Sequence, residues 1–347
     1  MSLEKFTVSR DDSCYEAWPD VCMTEGGRLV CVFSECEHHG NRDNARIAVV
    51  TSDDRGRTWS AKRYLTEKGT RRAYYNCAKI ARLSDGRLVI SCDFVVGDED
   101  GDDTHVWLWF GDPAGESWSE RVATPLHGIC PDRVVELRGG RWILAAQTVS
   151  PDTGKLTQYA ILSDDRGKTW SDAVTVAKDA RYHLCEASIV QTSAESGGAL
   201  VCFLRENSGE GIDCLKTISY DEGETWSEVY RTPIPGCHRP SAGYLNDGTL
   251  MLTYRFMQGG RGWLGSWTQN FMAAFFDEAS ALATDRRQQS SRLFPLDYDR
   301  SPVSDLGYSG WVQFPDGEIY AVEYIVDDAP KAQIRGYSFR MEDVLLR

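Results

Sequence analysis

One octapeptide limits what this chain can fold into. Ser52-Asp53-Asp54-Arg55-Gly56-Arg57-Thr58-Trp59 returns as Ser163-Asp164-Asp165-Arg166-Gly167-Lys168-Thr169-Trp170, and again as Ser219-Tyr220-Asp221-Glu222-Gly223-Glu224-Thr225-Trp226. A degraded copy ends in Gly115-Glu116-Ser117-Trp118. Successive tryptophans of these copies lie 52 to 59 residues apart. The pattern is hairpin-turn chemistry: Asp caps the turn N–H groups, Gly takes a positive φ, and Trp packs back onto the sheet. A second signal interlocks with the first, a Gly turn between short apolar strands. It occurs at Gly26-Gly27, Asp85-Gly86, Gly139-Gly140, Gly197-Gly198, Asp247-Gly248 and Asp316-Gly317. Six units of about four strands each predict an all-β fold, a six-bladed β-propeller with four-stranded antiparallel blades. Blades are expected to begin near Glu16, Arg72, Ile129, His183, Cys237 and Asp305. Blade five lacks the octapeptide and carries a Gly- and Trp-rich insertion from Phe256 to Trp267. The stretch Ala279 to Arg292 reads as a short helix or an excursion. No low-complexity linker divides the chain, so a single domain over residues 1–347 is expected.

Charge and cysteine usage narrow the partners. The formal net charge is −14 with no basic run, which argues against a nucleic-acid backbone as ligand. The eleven cysteines are scattered without a C-x-x-C pair. That pattern suits neither a disulfide framework nor a zinc site, and reads as small buried strand residues in a reducing compartment. No apolar run reaches membrane-spanning length, and Met1 to Arg10 has no apolar core. A cytoplasmic protein with no membrane partner is therefore expected. His38 and His39 are adjacent and point to opposite sides of an extended chain, so they do not share a metal. Asp98 to Asp103 reads as a solvated acidic hairpin, because the twelfth-position Glu of a calcium loop is missing. No metal or cofactor is expected.

In a propeller the innermost strands line a central channel, and polar residues from six blades converge at one mouth. Such convergence suits a sugar, which needs several directional donors and acceptors around a ring. The inner strands here open with Glu16-Ala17-Trp18-Pro19-Asp20, Tyr74-Tyr75-Asn76, Cys130-Pro131-Asp132-Arg133, Cys185-Glu186-Ala187-Ser188, Cys237-His238-Arg239-Pro240 and Asp305-Leu306-Gly307-Tyr308-Ser309. The second strands end at Glu35-Cys36-Glu37, Cys92-Asp93, Gln147, Arg205-Glu206, Tyr254-Arg255 and Glu323-Tyr324. Charge in all six blades marks this ring as a candidate glycan or oligosaccharide site.

The octapeptide resembles the Asp-box of the sialidase superfamily, and the six repeats extend that resemblance over essentially the whole chain. Sialidases use a Tyr nucleophile, a Glu that activates it, an Asp acid/base and three Arg that clamp the substrate carboxylate. Tyr308-Ser309, followed by Phe314-Pro315-Asp316-Gly317, matches the start of the family's final blade and makes Tyr308 the implied nucleophile. Glu186 matches the activating Glu and Arg205 the Arg that follows it. Asp43, in Gly40-Asn41-Arg42-Asp43-Asn44, is the nearest match to the acid/base. The departures bear on specificity. Where the family opens blade one with Arg-Ile-Pro, this chain has Ala17-Trp18-Pro19, and Glu35-Cys36-Glu37 replaces another arginine position. Trp267 stands near the place of the blade-five arginine, with Arg255 or Arg261 able to approach.

Two substrate classes follow. Arg133, Arg205 and Arg239 form a different anion site, or a neutral sugar is bound by Glu16, Asp20, Glu37 and Asp132. In the second case Glu186 pairs with Asp132 or Glu37 as two carboxylates. The resemblance implies an exo-acting glycoside hydrolase with Tyr308, Glu186 and Asp43 as catalytic residues and a specificity altered from sialic acid. Arg205, Arg133, Asp132, His238, Arg239 and Glu37 are the substrate-binding candidates. The alternatives are a non-catalytic glycan-binding propeller and a polysaccharide lyase using Tyr308 with His238.

Overall fold

The computed structural model describes residues 3–97, 104–257 and 269–344. The insertion from 258 to 268, with Arg261 and Trp267, and the acidic run 98–103 lie outside the described residues. Six antiparallel sheets follow one another along the chain and form a six-bladed propeller. Blade one is built from Tyr15–Met23, Leu29–Cys36, Arg46–Ser52 and Arg63–Tyr64, from the channel outwards. Blade four repeats the plan with Leu184–Gln191, Leu200–Glu206, Leu215–Ser219 and Tyr230–Arg231. Blade five uses Cys237–Tyr244, Leu250–Phe256, Asn270–Phe276 and Arg292–Tyr298. In blade two the inner strand is split into Ala73–Tyr75 and Lys79–Arg82, both paired with Leu88–Val96. In blade three regular pairing of the inner strand starts only at Val135, after Pro131, with Ile129 held by an isolated bridge to Gln147. Blade six closes the ring. Leu306–Gln313, Ile319–Ile325 and Gln333–Phe339 take their fourth strand from Glu4–Ser9 at the other end of the sequence.

The strands are apolar where neighbouring blades stack on both faces. All eight residues of Leu29–Cys36 and all seven of Ile319–Ile325 are buried, whereas the outer Arg63–Tyr64 is exposed. Burial on both sides explains why second strands read as continuous apolar runs rather than alternating ones. Ten of the eleven cysteines are buried, and all are free thiols.

The octapeptide forms the hairpin between the third and fourth strands. Asp54 accepts from the Thr58 amide at 2.9 Å and the Thr58 hydroxyl at 2.6 Å, and Trp59 Nε1 donates to Gly56 O. Asp165 and Asp221 repeat these bonds with Thr169 and Thr225. The hairpins also stitch neighbouring blades. Arg28 of blade one pairs with Asp53 and with Glu116 of the blade-two hairpin. Arg141 of blade three pairs in the same way with Asp164 and with Glu224 of blade four. Gly56 has φ +81°, and a Cβ there would lie 2.2 Å from the Tyr320 ring of blade six. In blade five the hairpin is replaced by a short helix, Glu278–Leu282, capped by Asp277, and a 3-10 turn, Arg286–Gln288. Glu278 ties this helix to blade four by accepting from the Ser193 amide and hydroxyl.

One backbone device recurs on the channel side. Each inner strand of blades one, four, five and six slips register by one residue, between Ala17 and Asp20, Cys185 and Ser188, His238 and Ser241, and Gly307 and Gly310. The first residue inside each slip has a left-handed backbone: Trp18 at φ 56°, Glu186 at 51°, Arg239 at 51° and Tyr308 at 50°. Cys130 of blade three matches them at 50°. Non-glycine residues avoid this region, and a bulge re-aims a side chain. Five unlike residues sharing it mark a built feature.

Two residues further along each strand, the blades are joined across the channel floor. Asp20 accepts from the Ile80 amide of blade two, Asp132 from the Ile189 amide of blade four, and Ser188 from the Ala242 amide of blade five. Blade six has Gly310 at this level, where a Cβ would sit 2.0 Å from Asp20 Oδ1.

Candidate active site

Three sequence-distant residues meet at the channel mouth. The Tyr308 hydroxyl donates to Glu186 Oε1, and Arg205 Nη1 donates to the same oxygen at 2.9 Å. Glu186 and Tyr308 reach each other because both occupy bulge positions, while Arg205 lies opposite Cys185 on the second strand. Arg239, from the blade-five bulge, sets its guanidinium 5.2 Å from the Tyr308 ring centroid. It is fixed from behind by the carbonyls of Cys130 and Pro131 at 3.0 and 2.7 Å. Arg255 holds in blade five the place that Arg205 holds in blade four, paired with the residue that precedes the bulge. Its Nη2 lies 3.2 Å from His238 Nδ1.

The charges follow from this packing. Burial alone would raise the Glu186 carboxyl, but Arg205, Arg239 and Arg255 pull it down to about 2. Burial pushes the Tyr308 phenol well above its ordinary value, with Cys130 and the Glu186 charge acting in the same direction. Burial, Arg205 and Arg255 drive His238 far below its usual range, so it is a neutral acceptor for Arg255. The resting state is thus a protonated tyrosine donating to an ionised glutamate within a surplus of positive charge. Among the described residues, the Nε atoms of Arg205, Arg239 and Arg255 are buried without a hydrogen-bond partner, as is Glu186 Oε2. Buried polar groups are ordinarily satisfied, so these four atoms leave the cluster with unmet hydrogen-bonding capacity.

The other candidates lie elsewhere. Arg133 forms a fork with Asp20, with Nε at 2.8 Å from Oδ2, one level deeper in the channel. Asp132 accepts from the Ile189 and Arg133 amides. Glu16 accepts from Lys62 and Ser9, and Lys62 also reaches Glu35 at 2.6 Å. Glu37 is exposed on the rim, accepting from Asn44 and lying 4.0 Å from Lys331. Asp43 sits on the same rim loop, half-buried, and Arg42 beside it stacks 3.6 Å from the Trp18 ring centroid.

Sequence reading attached no role to a second cluster at this mouth. Asp305, at the entry to blade six, accepts from the Tyr15 and Tyr324 hydroxyls and pairs with His39 Nδ1 at 2.6 Å. Trp18 lies edge-on between this cluster and Tyr308, 5.4 Å from the His39 ring and 6.4 Å from Tyr308. A charged residue three positions before Tyr308 was the available signal, but its partner is 266 residues away.

The repeat hairpins and the matched segment decide the family. The pattern of the BNR repeat-like domain matches residues 114–321. The chain belongs to that family. This BNR repeat-like chain is 25% identical over 198 residues to a sialidase of Bacteroides fragilis (strain YCH46), across 54% of this chain and 34% of the relative. It is 23% identical over 265 residues to a sialidase of Paraclostridium sordellii, across 67% of this chain and 64% of the relative. The chain therefore spans about a third and just under two thirds of the lengths of these two relatives. A solved Dyadobacter fermentans protein of unknown function shares the fold of this BNR repeat-like propeller with a TM-score of 0.78. The two are 20% identical, with 97% of this chain and 98% of the other aligned. Among the described residues no helix is long and apolar enough to cross a membrane.

Proposed function

We propose that the protein is an exo-acting glycoside hydrolase that removes a terminal acidic sugar, with an anion site differing from the sialidase clamp. The single observation that carries this reading is the contact of Tyr308, Glu186 and Arg205, with Arg239 and Arg255 adding positive charge around Glu186. The neutral-sugar alternative keeps only Glu37, on the rim, because Glu16, Asp20 and Asp132 are already engaged inside the protein. Arg205, Arg239 and Arg255, from blades four and five, supply the positive field. Arg133 and Asp132 serve the channel floor, His238 positions Arg255, and Glu37 stands outside the cluster.

The charge balance suggests how substrate triggers the chemistry. In the free protein the arginines make Glu186 a poor base, and the Tyr308 proton stays on its oxygen. A substrate carboxylate against Arg205 and Arg255 offsets their field, which raises the proton affinity of Glu186. Tyr308 then passes its proton to Glu186 as its oxygen attacks the anomeric carbon. A neutral nucleophile also avoids repelling an anionic sugar. The leaving-group proton comes from the blade-one rim loop, in which the resemblance puts Asp43.

The test is turnover of aryl glycosides of acidic sugars, sialosides and uronides, beside neutral aryl glycosides, by wild type and Tyr308→Phe. Acidic substrates are expected to turn over, with a loss of at least about 10³-fold in the variant. Selective hydrolysis of neutral glycosides, unchanged turnover in the variant, or binding without product refutes the reading.

A further inference from the structure

The rim loop offers a better proton donor than an aspartate. We infer that His39, oriented by Asp305, is the acid/base residue of this site, an inference that rests on the hydrolase reading above. Asp305 is mostly buried, with its side chain 18% exposed, whereas the His39 ring is 41% exposed. One ring nitrogen is held by the carboxylate, and the imidazole is partly exposed. A carboxylate against Nδ1–H fixes the tautomer and orientation of an imidazole, leaving Nε2 to exchange protons with substrate.

Asp305 is itself built for that task. Burial alone would raise it, but His39, Tyr15 and Arg255 hold it below its ordinary value, so it stays ionised. Its Oδ1 accepts from Tyr324 at 2.8 Å and its Oδ2 from Tyr15, and Arg255 Nη1 lies 3.8 Å away. Arg255 therefore borders both clusters, near His238 on one side and Asp305 on the other. The groups facing the imidazole are Asp305 and Tyr324 from blade six, and Tyr15 and Trp18 from blade one. Arg42 of the same loop stacks on Trp18. The Trp18 ring separates the imidazole from Tyr308. Donor and nucleophile thus flank one aromatic ring. Asp43 has no comparable support. Among the described residues its carboxylate has no hydrogen bond or ion pair, and its amide donates to Asn41.

The reaction balances through these groups. In the first half, the bond from the anomeric carbon to the leaving oxygen breaks. Its electron pair goes to that oxygen, which takes the proton from His39 Nε2. The Tyr308 oxygen bonds to the carbon and its proton moves to Glu186. In the second half, water gives a proton to the neutral His39 and bonds to the carbon. The tyrosyl bond breaks, and Tyr308 recovers its proton from Glu186.

The test compares His39→Gln, Asp305→Asn and Asp43→Asn on acidic sugars carrying nitrophenol or an unactivated sugar as leaving group. A poor leaving group needs the proton and a good one does not. His39→Gln is expected to lose about 10²- to 10⁴-fold on the sugar leaving group and far less in the nitrophenol-releasing burst. Asp305→Asn, a positioning variant, should show the same leaving-group split in weaker form. His38→Gln, at a ring whose Nδ1 accepts from the Gly40 amide, should keep wild-type rates. His39 is exposed enough for its variant to fold, which circular dichroism checks. An Asp43→Asn loss with this split, beside an unaffected His39→Gln, overturns the inference and leaves the hydrolase reading standing. No turnover of any glycoside by the wild type overturns both.

Discussion

Replacing Glu186 by Gln tests the charge state on which the site depends. In the folded chain its carboxyl is held at about 2, against an ordinary value of 4.5. The folded value is depressed, so the stabilisation is complete above pH 4.5 and is lost as pH falls through about 2. About 2.5 pH units at about 1.4 kcal/mol each give ~3 kcal/mol at neutral pH. Domains are commonly stable by only about 5–15 kcal/mol, so the loss is large. Glu186→Gln keeps the shape and an acceptor for Tyr308 and Arg205 but removes the charge that offsets three arginines. Urea unfolding at pH 7 should show a midpoint lower by about 1 M, taking a slope of about 3 kcal/mol/M. The decisive result is the pH dependence. Between pH 4.5 and 3 the wild type should lose stability more steeply than the variant, by about 1.4 kcal/mol per pH unit. Equal slopes would mean that Glu186 carries its proton in the folded state, and the account of a substrate-triggered base would fail.

Two further outcomes follow from the packing. Gly248→Ala, at φ +85° with open space around it, should cost about 1 kcal/mol, whereas Gly56→Ala should cost about 1–3 kcal/mol more because its Cβ would strike Tyr320. Equal losses in chemical denaturation would refute the stitching of the blade-one hairpin to blade six. Burial raises the Glu323 carboxyl well above 4.5, so its contribution is fully present below the unfolded value and is lost as pH rises through the folded one. Glu323→Gln should therefore be neutral or stabilising at pH 8 in thermal melts, and a marked loss there would show that the carboxylate is ionised.

The propeller was legible because its signals are local. Asp, Gly and Trp in one octapeptide specify a turn wherever they occur, and six Gly turns interlocked with it leave few alternatives. Blade five shows the limit. Its helix at Glu278 replaces the hairpin, and sequence could only offer helix or excursion for this stretch. Within the site, Tyr308, Glu186 and Arg205 came from the resemblance, and the structure brings them into contact. Depth in the channel was not legible. Asp132 and Arg133 are inner-strand charges like Glu186, yet they sit one level lower, and Arg133 is tied to Asp20 across 113 positions of sequence. Nor do Trp, Cys, Glu, Arg and Tyr betray a left-handed backbone by type. Only the proline after Trp18, Cys130 and Arg239 hints at it. The His39–Asp305 pair was missed because paired histidines invite a metal reading and a long-range carboxylate partner leaves no trace in spacing.

The shared left-handed bulge has a broader consequence. Trp18, Cys130, Glu186, Arg239 and Tyr308 occupy equivalent left-handed backbone positions, one in each of five blades. Exchanging the occupant of such a position changes what the site recognises or does while the surrounding blades stay as they are. Such a scaffold lets chemistry diverge by single replacements.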